Sequence, residues 1–320
     1  MRAFRRGFKK AKRIVRLPFE WLGIILAVAI IAPMPRRMML ALCDAVAAAG
    51  YRLDRSGRRR AEENLKIFYG RELPSRVRTI IIKRAYRNMA RTLAHIFWTL
   101  WRGSKRVALA GELSESSKEI LASRRPLVTV SGHLGCWEIL SQLVQLSGIP
   151  ITSAAKKIGS DGMTRLLIRS RRAVGQQIVL AEGAFMPLLK TLRDGNDIGL
   201  LVDQVVKPKD GGLWVEYFGR PVCVSAAPAF LSAKTKAPIG VAWSRPLKDG
   251  RYRCEFVRLV EHSGKPDVWG VTQTVTKELE KLIRRHPSCW TLNYNLFRKH
   301  PKPDELQQLQ KRLGGASAGC

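Results

Sequence analysis

From about residue 111 onwards the chain alternates short β-branched runs with stretches of helical period, and that alternation leaves few folds open to it. Strands are predicted at 127–130, 151–154, 177–180, 198–202, 239–243 and 253–259, and helices near 137–147, 161–173, 183–193, 225–236 and 270–285. Strands separated by helices pair in parallel through crossover connections. The expected body is therefore α/β, a mixed, largely parallel central sheet flanked by helices. Ahead of it, residues 38–51 read as an apolar helix. Residues 78–101 carry a helical stripe at Ile82, Tyr86, Met89, Leu93, Ile96/Phe97 and Leu100, with Arg and Lys between. His95 falls within that helix and is expected to be structural. Four segments follow: a basic and apolar anchor (1–37), a helical N-terminal part (38–110), the α/β core (111–305) and a tail (306–320), disordered from residue 314.

The anchor is read from charge and length. Residues 1–16 hold eight basic residues and no acidic one, and an uncharged run follows at 21–35. Fifteen helical residues reach roughly 22 Å, against a hydrocarbon core of about 30 Å, so the run is marginal as a span. A cleaved signal peptide, a short span and a helix lying in the cytoplasmic leaflet all fit the pattern; the last two both hold a basic collar at an anionic membrane. The whole chain carries 57 Lys+Arg against 25 Asp+Glu, a net charge of +32. Such a surface attracts polyanions: anionic lipid, phosphorylated glycolipid, an acidic carrier protein or nucleic acid. No nucleic-acid-binding motif occurs, and the basic residues are spread along the chain rather than interleaved with aromatics, so no nucleic acid is expected as a partner. The six cysteines never stand at CxxC spacing, which argues against a disulfide framework or a zinc site and for a reducing compartment.

The segment PLVTVSGHLGCWEIL, residues 126–140, carries the chemistry. A buried strand runs into Gly132-His133, a short turn follows, and a helix begins near Trp137. Open α/β sheets place reactive groups just beyond the carboxyl ends of their strands. Glu138 stands five positions after His133. Across a strand–turn–helix junction that spacing can fold the carboxylate back onto the imidazole, holding one ring proton and raising the basicity of the other nitrogen. The bland alternative is a histidine bonded to backbone and a glutamate at a helix start. Cys136 lies within the motif but has no evident relay partner, and GxSxG, Walker, HExxH and GxGxxG patterns do not occur.

Several landmarks, in order, resemble the bacterial lipid A late acyltransferases, lauroyl and myristoyl types, of the lysophospholipid acyltransferase superfamily. AEENLKIFYG, with Asn64, Leu65 and Phe68, is similar to the early NL..FP element. HLGCWE is similar to the H-x4-D/E block. RSRRAVG, residues 169–175, resembles a basic block whose arginine is best matched by Arg172. Asp203-Gln204 resembles the DQ element at a strand end, and Tyr217-Phe218-Gly219 the FFG element. The resemblance implies His133 as base, Glu138 as its charge-relay partner and Asp203 as a second acid near His133. It places Arg169, Arg172 and Gln204 in substrate binding. It implies no metal and no cofactor. It also implies acyl carrier protein as donor partner, or acyl-CoA, and a glycolipid acceptor. It further implies a site at the inner membrane, with the catalytic domain facing the cytoplasm. Two stretches depart from the family wording. PSCWTLNYNLFR, residues 287–298, keeps Pro287, Trp290, Phe297 and Arg298 but has Tyr294-Asn295-Leu296 in place of HRR. Lys156-Lys157 stands in place of YRP. These departures bear on donor and acceptor choice, so acyl-CoA-dependent transfer to another glycolipid, such as a phosphatidylinositol mannoside, stays beside the lipid A reading. A basic membrane- or nucleic-acid-binding protein is the non-enzymatic alternative.

Overall fold

The computed structural model describes residues 21–70, 73–123, 125–156, 161–261 and 267–317. The basic run at 1–16 and Lys157 lie outside the described residues.

The described residues open with helix α1 (21–31), followed by α2 (Arg36–Leu53), α3 (Arg55–Tyr69), α4 (Ser75–Trp98) and α5 (Gly103–Ala110). The α/β body then runs β1 (Gly111–Leu113), α6 (Glu115–Ala122), β2 (Val128–Ser131), α7 (Trp137–Leu146), β3 (Ile151–Ala155), α8 (Asp161–Arg172), β4 (Gln177–Leu180), α9 (Phe185–Arg193) and β5 (Asp197–Leu201). It continues with β6 (Gly212–Tyr217), β7 (Arg220–Ser225), α10 (Ala227–Thr235), β8 (Ile239–Pro246), β9 (Tyr252–Val260), α11 (Val268–Arg285) and α12 (Pro303–Ser317). Seven strands form one sheet in the order β1-β9-β8-β2-β5-β3-β4. Every neighbouring pair is parallel except β8 with β9. The expected mixed, largely parallel sheet is what the chain forms, and all six predicted strands are in it.

The central strand β2 is buried at every position, as a parallel strand covered on both faces must be. Its side chains alternate between two cores. Val128 and Val130 face a core completed by Leu188 and Leu192 of α9, Leu231 of α10 and Val275 and Leu279 of α11. Leu127, just before the strand, faces a second core with Ile139, Leu143 and Val144 of α7.

The prediction missed four kinds of element. β1 is three residues long and exists by pairing with β9. Helices α3, α5 and α6 are polar stretches whose apolar sides are narrow. The β6–β7 hairpin turns at Phe218-Gly219, both at positive φ. Of the tail expected to be disordered from 314, residues 314–317 instead close α12, which buries Leu309 against the β6 side of the molecule, while 318–320 lie outside the described residues. No helix among the described residues is long and apolar enough to cross a membrane. α1 nevertheless exposes Leu22, Ile25, Leu26 and Ile30 along one side and buries Ile24 against α8.

Candidate active site

Strand register brings the site together. β2 and β5 are parallel neighbours, and Ser131 is the register partner of Leu201. Two residues further on, His133 and Asp203 leave adjacent strands at the same level. The Asp203 carboxylate then serves His133 twice: Oδ2 accepts the main-chain N–H at 2.8 Å, and Oδ1 lies 2.8 Å from ring Nδ1. Gly132 makes the approach possible, because a Cβ there would sit 3.1 Å from the Asp203 carboxyl carbon. Gly135 is the second required glycine. Its φ is +66°, and an added Cβ would fall 1.7 Å from the Ser244 carbonyl oxygen. The turn 132–136 is thereby pressed onto β8, with Thr92 of α4 donating its hydroxyl to the Gly135 carbonyl from the other side.

Asp203 is completely buried and accepts a third N–H, from Trp290 Nε1 at 2.7 Å. Burial alone would push its pKa up. The charge of His133 and the hydrogen bonds from His133 and Trp290 outweigh that, holding Asp203 below the usual aspartate range. An ionised carboxylate only accepts, so Nδ1 carries a ring hydrogen, which leaves Nε2 as the nitrogen that can exchange a proton with a substrate. His133 is about a fifth exposed at its side chain, and Nε2 is 3.4 Å from Gln204 Nε2. The Trp137 ring packs edgewise against the imidazole, 4.8 Å between centroids. Below it, a cleft lies between β2, β3, β5 and α7, lined by Trp137, Leu140, Val144 and Ile151 with Ser131, Ser153 and Arg171.

This arrangement is an imidazole oriented by a buried carboxylate at strand ends, suited to taking a proton from a hydroxyl. The family model for bacterial lipid A biosynthesis acyltransferases matches residues 5–299. The chain belongs to that family. It is an acyltransferase of lipid A biosynthesis. A search of curated proteins found no match to the chain.

Within this acyltransferase the expected relay from Glu138 to His133 is corrected. Glu138 sits in the first turn of α7, and its two oxygens accept from Arg171 Nε and Nη2, each at 2.9 Å. Both side chains are buried, and the pair ties the start of α7 to the end of α8. The carboxylate on the imidazole is Asp203, because the parallel register aims β5 at His133 whereas the helix turn aims Glu138 at α8. Of the basic block, Arg171 is the residue turned inward; Arg169 and Arg172 are exposed on α8. Lys156 is exposed just past β3. Cys136 is buried, and that burial pushes its thiol up to about 12, which removes it as a nucleophile at neutral pH. His95 is buried with Nδ1 2.7 Å from the Arg91 carbonyl oxygen, in the structural role expected of it.

Trp290 and Tyr294 were missed as site residues. Trp290 is the tryptophan that the closing segment shares with the family wording, which was the available signal; its hydrogen bond to Asp203 depends on a fold across 87 residues. Phe218 of the YFG element stacks on Phe68 of the NL..F element, 3.7 Å between centroids, so two distant family landmarks meet beside the site.

Proposed function

We propose that this acyltransferase moves an acyl chain from acyl carrier protein to a hydroxyl of a lipid A precursor at the cytoplasmic face of the inner membrane. The observation that carries the reading is His133, with Nδ1 on the buried Asp203 and Nε2 facing the Gln204 amide at 3.4 Å on the side away from that carboxylate. His133 Nε2 takes the hydroxyl proton as the alkoxide adds to the thioester carbonyl. The tetrahedral intermediate collapses with loss of the thiolate, which takes the proton back from the imidazolium. An ester and a free thiol are the products. Gln204 has the side-chain donor nearest the reacting nitrogen and is assigned to substrate contact. Arg169 and Arg172, exposed at the end of α8, are assigned to acidic groups of acceptor or carrier.

The membrane assignment is supported by the exposed apolar side of α1, by the uncharged run in which it lies and by the basic residues before it. The net charge of +32 suits an acidic carrier and a phosphorylated acceptor alike. The test is transfer to radiolabelled lipid A precursor by membranes containing the protein, with acyl carrier protein thioester and acyl-CoA run in parallel. Product with the carrier thioester supports the proposal. Product with acyl-CoA alone moves the donor assignment, and absence of product with both donors overturns the substrate reading.

A further inference from the structure

The segment after α11 touches the acid of the dyad while being held from the other end of the chain. Trp290, 1% exposed, donates its indole N–H to Asp203 Oδ2. Four residues on, Tyr294 Oη accepts the main-chain N–H of Val205 at 3.0 Å. Asp203-Gln204-Val205 is therefore fastened on both sides of Gln204 by one short stretch, 290–294. That stretch belongs to no helix or strand: the carbonyls of Trp290 and Thr291 accept the main-chain N–H groups of Leu292 and Tyr294, and those of Leu292, Asn293 and Tyr294 take side-chain donors from elsewhere. The N-terminal helices supply them. Asn64 Nδ2 on α3 donates to the carbonyls of Leu292 and Tyr294, both at 2.8 Å. Arg60 Nε donates to the Asn293 carbonyl at 3.0 Å, and Asn88 Nδ2 on α4 holds the turn just before the stretch through the Ser288 carbonyl at 2.7 Å. Asn64 is buried and spends its amide hydrogens on this one segment. Phe68, one turn along α3, packs its ring 5.7 Å from that of Trp290.

We propose that Asn64 and Trp290 are positioning residues for the reaction: Asn64 fixes the 290–294 segment, and Trp290 transmits that fix to Asp203 and so to the orientation and basicity of His133. The inference rests on the proposed role of His133 as base. Its physical content lies in how Asp203 is shared. Oδ1 serves the ring while Oδ2 is held by two N–H groups, one of them the indole. Without the indole, less of the carboxylate charge is neutralised and more of it faces the ring, which stabilises the imidazolium. The carboxylate also loses one of the contacts that fix its rotation.

The test uses full-length protein carrying Trp290→Phe, which keeps the ring packing and removes the donor, and separately Asn64→Ala. Two quantities are measured: the pH dependence of acyl transfer in membranes, and the titration of His133 by ¹⁵N-histidine NMR in detergent, its signal assigned by loss in His133→Ala. Trp290→Phe is expected to lower kcat about tenfold, the size of one charge-assisted hydrogen bond, with KM for both substrates within about twofold. Its acid limb and the His133 titration should both move up by about half a pH unit. Asn64→Ala should shift both the same way by less, because the segment is loosened and its indole kept. A Trp290→Phe protein that folds with unmoved kcat and titration overturns the proposal. So does a lowered melting temperature in both variants with His133 titrating as in the wild type, which would make the segment structural only. Because the NMR titration needs no substrate, failure of the substrate reading leaves this inference separately testable.

Discussion

Asp203 holds His133 by both its main-chain N–H and its ring, each at 2.8 Å, so one buried carboxylate fixes the backbone and the side chain of the base together. Asp203→Asn replaces an acceptor-only group with an amide that can present a donor to Nδ1 and reverse the tautomer. Transfer is expected to fall at least about 10²-fold at neutral pH, the usual size of a general-base contribution. The same carboxylate has a stability signature. Its folded pKa lies below the ordinary aspartate value of about 3.9, so its contribution is present above that value and is lost as pH falls through the lower, folded one. Denaturant titration of the wild type and Asp203→Asn between pH 7 and pH 3 checks this: the gap between them should narrow at the acid end.

Glu138 and Arg171 predict a different phenotype. Removing one member of a buried bidentate pair strands the other charge, at a cost of about 3–5 kcal/mol. Glu138→Ala should lose that much stability by urea unfolding, and whatever protein remains folded should keep the wild-type position of the acid limb. A limb displaced in a variant of native stability would instead return Glu138 to the imidazole.

His95 sets an acid sensitivity of its own. Burial pushes its pKa down to about 4, and its Nε2 has no hydrogen-bond partner among the described residues. The unfolded chain takes up this proton near pH 6.5 and the folded chain only near 4, so stability rises with pH across that interval. Acidification from pH 6.5 to 4 should cost up to about 3 kcal/mol through this residue, at 1.36 kcal/mol per unit. Between pH 7 and pH 5 the wild type should lose about 2 kcal/mol more than His95→Phe. Equal losses in the two proteins would sink the assignment.

Cys136 lies three residues from the base yet is expected to be inert. With its thiol pushed up to about 12 by burial, it should resist iodoacetamide at pH 8 in the folded protein and react only in denaturant. Cys136→Ala should transfer at close to the wild-type rate in the same membrane assay. Loss of transfer with stability retained would bring the thiol back into the chemistry.

The sheet was legible because its strands are short, β-branched and separated by helical periods; the predicted 177–180 matches β4, Gln177–Leu180, residue for residue. β1 was not, since three residues carry no pattern of their own and its pairing with β9 is a tertiary event. His133 was legible from its strand end and flanking glycines. Its carboxylate was assigned to the neighbour five residues away, whereas the one that reaches it is seventy residues away. Sequence distance says little here: the Ser131–Leu201 register decides which carboxylate arrives, and register emerges only once the sheet has formed. Asp203 itself was flagged by the resemblance of Asp203-Gln204 to the DQ element at a strand end, but the Trp290 bond that completes its surroundings left no local trace beyond the tryptophan.

The most direct measurement is the initial rate of acyl transfer by His133→Ala against wild type, in the same membranes with the same thioester donor and lipid A precursor. A fall of at least about 10²-fold with an unchanged melting temperature is the result predicted for a general base. Turnover near the wild-type rate would contradict the account at its centre.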